Sequence, residues 1–94
     1  MTETQKEIAK ICEDVKELLL YKNSKYGNSA IDPIRVFSKS DNTEQLLVRI
    51  DDKLNRIKHG ENILYDDEDV IQDLIGYLVL LKISLKKASE SNGL

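Results

Sequence analysis

His59 is the only histidine in the chain and Cys12 the only cysteine. That inventory bounds the available chemistry. A nucleophile beside an imidazole base would need these two residues to meet. His59 falls at a helix end, between Lys58 and Gly60, where it reads as solvated. Cys12 falls on an apolar helical stripe, where a buried, inert thiol is expected. One of each cannot build a structural zinc site. No cofactor or metal is expected, and the chain reads as a non-enzyme.

The carboxylates offer one other route. Asp51, Asp52, Glu68, Asp69 and Asp73 fall on two successive predicted helices. Opposed acidic pairs on two helices can hold Mg²⁺, as in the all-α nucleoside triphosphate pyrophosphohydrolases, which use paired E-x-x-E/D motifs. The pairs fail here, because Glu44 is followed three residues on by Leu47, Glu68 by Ile71 and Asp69 by Gln72. Asp66 and Asp69 have the spacing but fall at a helix start. The plainer expectation is that Asp51, Asp52, Asp69 and Asp73 pair with Arg49, Lys53 and Arg56 between helices. A Mg²⁺-dependent pyrophosphohydrolase stays open as the alternative function, and a helical protein–protein adaptor as a third.

Binding chemistry is better supplied. Lys22 to Lys39 holds Lys22, Lys25, Arg35 and Lys39 against Asp32 alone, a local +3 in a chain of net charge −3. An anion would be drawn to that segment, and Tyr26 and Phe37 add flat faces for stacking. Arg49, Lys53 and Arg56 recur at i, i+4, i+7 and form a second basic ridge.

These residues must be positioned by helices. Ile8, Ile11, Cys12, Val15, Leu18 and Leu19 mark a helix over about Glu3–Tyr21. Leu47, Ile50, Leu54 and Ile57 mark a second, capped by Asn42 or Thr43 and closed by Gly60. The third follows the acidic run Asp66–Asp69, runs to about Lys87 and leaves a frayed tail from Ser89. Leu74, Ile75, Tyr77, Leu78, Val79, Leu80, Leu81 and Ile83 make that third helix apolar around most of its circumference, so self-association is expected. Gly27, Pro33 and the turn-forming Asn28, Ser29 and Asp32 predict a long ordered loop over about 23–41. The 94 residues thus read as one all-α domain, a compact three-helix protomer that forms a homo-oligomer. The polar first ten residues do not read as a signal peptide, and the apolar run Leu78–Leu81 is too short for a bilayer. A cytoplasmic protein is expected, without membrane attachment. The net negative charge disfavours long nucleic acids.

The runs Lys25-Tyr26-Gly27-Asn28-Ser29, Asp32-Pro33-Ile34-Arg35-Val36-Phe37-Ser38-Lys39, Val48-Arg49-Ile50-Asp51-Asp52-Lys53-Leu54-Asn55-Arg56-Ile57 and Glu68-Asp69 leading to Asp73-Leu74-Ile75-Gly76-Tyr77-Leu78 carry a resemblance. Together, over about Leu18 to Ile83, the chain resembles the phage anti-CBASS sponge proteins, a family that includes a small early protein of T-even phages. The resemblance implies a hexamer of interlocked subunits in the cytoplasm of the infected bacterium. It implies tight binding, without hydrolysis, of the cyclic oligonucleotides made by bacterial immune cyclases. Tyr26 and Lys39 would then grip a base of a cyclic dinucleotide, with Lys25, Asn28, Ser29, Arg35 and Tyr21 around them. Arg49, Lys53 and Arg56 would serve a second pocket, for cyclic trinucleotides, on a three-fold axis.

Overall fold

The computed structural model describes residues 1–28, 31, 41–60 and 68–91, and within them Glu68, Asp69 and Ser91 by backbone alone. Three helices account for nearly all of this: α1 (Glu3–Tyr26), α2 (Asn42–His59) and α3 (Glu68–Ser91). No strand occurs among the described residues, and the fold is all-α. None of these helices is long and apolar enough to cross a membrane.

Local chemistry explains each boundary, and several differ from expectation. At the start of α1, Thr2 Oγ1 accepts from the Gln5 N–H at 3.1 Å while Gln5 Oε1 accepts from the Thr2 N–H at 2.8 Å. This reciprocal pair satisfies two backbone donors at the helix start. The helix then passes its expected end at Tyr21 and continues through Tyr26. Nothing between Lys22 and Tyr26 breaks a helix, whereas Gly27 does. It sits at φ 68°, ψ −151°, a conformation open essentially to glycine alone.

The cap of α2 is Asp41, not Asn42 or Thr43, its carboxylate accepting from the Glu44 N–H at 2.7 Å. With the cap supplied one residue earlier, Asn42 and Thr43 turn to tertiary work. Both reach Ser84 Oγ on α3, at 2.8 and 2.6 Å, and Ser84 is buried. Gly60 does follow α2, but at φ −93°, not in the left-handed form of a glycine cap. The third helix runs on past Lys87 to Ser91.

Contacts fix the directions. Ser84 meets Asn42 and Thr43, and Asp73 meets Lys53, so α2 and α3 run antiparallel. Asp73 meets Lys22, and Leu19 lies against Gly76, which sets the last two turns of α1 against the first half of α3. Among the described residues α1 and α2 pack on α3 and not on each other. The core is correspondingly thin: Val15, Leu46, Ile50 and Val70. Fully burying a side chain such as Leu46 or Val70 contributes about 1.5–3 kcal/mol.

The inward row of α2 is Leu46, Ile50, Lys53 and Ile57. The expected stripe is corrected at two places, since Leu47 and Leu54 are exposed. They lie on the flank of the face that α3 covers. Cys12 is exposed too, against expectation. Residues 1–14 all lie open, because α1 meets α3 only through its second half. On α3 itself, Ile71, Leu78, Val79, Ile83 and Leu85 stay exposed.

The approach of α1 to α3 at Gly76 is tight. A Cβ built there would lie 3.1 Å from Leu19 Cδ2. Gly76→Val should force the two helices apart and destabilise the protein by about 1–3 kcal/mol, read as a lower urea midpoint. An unchanged midpoint would show that this contact is slack.

Candidate functional site

Because α1 and α2 share α3 without touching, a cavity of about 280 Å³ opens between them. The row Val15, Leu19, Lys22, Tyr26 on α1 forms one wall, following helical spacing. Gln72, Asp73, Gly76, Tyr77 and Leu80 of α3 form the floor, and Arg49 reaches in from α2. The turn after α1 lines one end. There the Asn23 side-chain amide donates to Asn28 Oδ1 at 2.8 Å and to the Gly27 carbonyl at 3.3 Å. Ile31 completes it, its N–H donating to the Asn28 carbonyl at 2.9 Å.

Two aromatic rings, each with a cation over it, border the cavity. Arg49 lies with its guanidinium carbon 6.0 Å from the centre of the Tyr77 ring. Lys25 Nζ lies 5.3 Å from the centre of the Tyr26 ring. Both distances fall within the range of cation–π attraction, about 0.5–1 kcal/mol at exposed positions. The chemistry on offer is therefore aromatic faces plus positive charge.

Asp73 supplies the electrostatic centre. Its carboxylate meets Lys53 Nζ at 3.0 Å and, more loosely, Lys22 Nζ at 3.8 Å. Lys53 and Asp73 are mostly covered, their side chains 18% and 28% exposed. Lys22 is about half open, at 49%. The interhelix pairing expected of the acidic residues is thus seen for Asp73 with Lys53. Asp51 and Asp52 are exposed, and the Asp69 side chain lies outside what is described. Among the described residues, no three His, Cys, Asp or Glu side chains come together as a metal-binding group.

Of the residues singled out from sequence, Tyr26 and Asn28 line the cavity and Lys25 stands beside it. Tyr21 is exposed and does not line it. Ser29, Arg35 and Lys39 lie outside the described residues. Arg49, grouped by sequence with Lys53 and Arg56, lines the same cavity as Tyr26, while Lys53 points to Asp73 and Arg56 is exposed on α2. Sequence reasoning missed Lys22, Asn23, Gln72 and Tyr77 as lining residues. Lys22 was legible, being the polar member of the Val15–Leu19–Lys22–Tyr26 row. Tyr77 was read only as part of an apolar helix.

No family model, curated protein or solved structure matches the chain.

The paired carboxylate carries a prediction of its own. Asp73→Ala strands the mostly covered Lys53 ammonium and should cost about 1–2 kcal/mol. Asp51→Ala and Asp52→Ala, at exposed positions, should fall within about 0.5 kcal/mol of the parent. Thermal melting of the three variants checks the order, and equal effects would remove Asp73 from its central place.

Proposed function

We propose that this protein binds cyclic oligonucleotide second messengers and sequesters them without hydrolysis, which keeps the effectors of bacterial CBASS immunity inactive. Cyclic dinucleotides are the primary ligand class and cyclic trinucleotides the second. The observation that carries the reading is the cavity in which Tyr26, the tyrosine of the sponge-like Lys25–Ser29 run, shares walls with Tyr77, Lys22 and Arg49. Bases stack on aromatic faces, at about 1–3 kcal/mol each, and phosphates are held by charge-assisted contacts. Two of each contribute about 5–12 kcal/mol, whose upper end corresponds to nanomolar affinity if the site is ordered before the ligand arrives. Such a protein needs no general base, in keeping with its sparse catalytic inventory.

Self-association supplies the pre-ordering in this reading. The exposed Leu78, Val79, Ile83 and Leu85 on α3 and Ile8 and Ile11 on α1 are apolar surface that the protomer leaves open. A shallow groove between Ile11 of α1 and Ile71 and Ile75 of α3 adds to it. A homo-oligomer, with the hexamer of the resembled family as first choice, covers this surface in the host cytoplasm. The ordered loop carrying Arg35 and Lys39 belongs to the same proposal.

Two measurements test it. Light scattering at micromolar concentration should give about 65 kDa for six copies of the 10.8 kDa chain. A mass near 11 kDa would defeat the assembly. Calorimetric titration against cyclic di- and trinucleotides should then show binding. In it Tyr26→Ala should lose about 1–3 kcal/mol and Lys39→Ala about 1.5–3 kcal/mol without dissociating the oligomer. The ligand should come back intact after denaturation. Linear product or pyrophosphate in excess of protein, with Mg²⁺ present, would establish the pyrophosphohydrolase instead.

A further inference from the structure

The cavity faces an electrostatic difficulty. Asp73 lines it, and a bare carboxylate on the floor would repel a phosphate. Lys53 resolves this from outside. It is not a lining residue, yet its ammonium lies 3.0 Å from Asp73 Oδ2. Lys53 is mostly covered, where solvent screens the pair little. The carboxylate is neutralised there, and the lining cations Lys22 and Arg49 are left in excess. Lys22 holds Asp73 only at 3.8 Å and is half exposed, so its donors can turn to a ligand. Among the described residues no carboxylate pairs with Arg49, whose guanidinium lies over Tyr77. At about 280 Å³ the cavity falls just below the usual small-molecule range of about 300–1,000 Å³. That suits a single base-and-phosphate unit better than a whole cyclic dinucleotide.

We infer that this cavity takes one base-and-phosphate unit of the ligand, with Lys22 and Arg49 as its anion contacts, and that Lys53 is a positioning residue that keeps the cavity cationic by neutralising Asp73. The inference rests on the nucleotide-binding reading above and names where half of the ligand sits. Lys53 acts through Asp73, so its effect must disappear when Asp73 loses its charge. A purely structural lysine would not behave in that way.

The test is a charge cycle on the full chain, with cyclic di-AMP and adenosine 5′-monophosphate as probes. Affinities are measured by calorimetry well below each variant's melting temperature. Lys22→Met should weaken both probes about tenfold, the loss of one charge-assisted contact. Lys53→Met should also weaken them about tenfold, by unmasking Asp73. The double variant Lys53→Met with Asp73→Asn should bind within about twofold of the parent, and Lys53→Arg should bind like it, since the charge is kept. Equal weakness of Lys53→Met and the double variant would overturn the positioning role. Unchanged binding by Lys22→Met would overturn the site. If the parent binds cyclic di-AMP but the cycle is flat, this inference fails while sequestration stands. If adenosine monophosphate follows the cycle and cyclic di-AMP does not bind, sequestration fails while this cavity stands. Binding of neither probe sinks both.

Discussion

The Asp73 carboxylate touches both helices that α3 carries, Lys22 from α1 and Lys53 from α2. Among the described residues α1 and α2 make no packing contact of their own, and each is placed by what α3 presents to it. To α1 it presents Gly76, which lets Leu19 come close. To α2 it presents Tyr77 and the buried Ser84, which receives Asn42 and Thr43. Asp73 lies where the two sets meet. A hydrophobic residue there would pack against one helix, whereas a carboxylate with two oxygens can bind a cation from each.

That arrangement explains why a cavity exists at all. Three helices in mutual contact bury their common axis and leave no room inside. Two helices laid on a third, apart from each other, leave a trough above it. The arrangement leaves α1 lightly packed, since Val15, at 9% exposure, is its one buried residue. The exposed apolar residues along α3 follow from the same geometry, because among the described residues a helix apolar on most sides has two helical neighbours. The open trough and the uncovered apolar surface are one fact about packing.

Helix identity was legible in the sequence because three apolar periodicities are separated by glycine, proline and acidic runs. The precise faces were less so. Reading Leu47, Ile50, Leu54 and Ile57 as the stripe of α2 overlooked that Lys53 can sit in an apolar row when a carboxylate awaits it. The inward row is then Leu46, Ile50, Lys53 and Ile57. Cys12 shows the converse, since a periodic apolar face need not meet a partner within its own chain. In the site, Tyr26 and Asn28 stood out through turn chemistry and local charge. Asp73 stood out as a carboxylate set to pair across helices, and it does pair with Lys53; Tyr77 did not, because nothing local tells a core tyrosine from a cavity wall.

The charge pattern has a kinetic consequence as well. A net charge of −3 repels an anionic ligand at a distance, and at physiological salt that field decays over about 8 Å. At the cavity itself Lys22 and Arg49 are the lining cations. The overall charge therefore acts on encounter, while the local cations act on release. Affinity differences within one site appear mainly as differences in release. A protein that works by holding its ligand stoichiometrically depends on slow release far more than on fast capture. Under the proposed function, the cations beside the aromatic faces would have to supply that slow release, while the net negative charge disfavours longer nucleic acids, which bind through many exposed phosphate contacts.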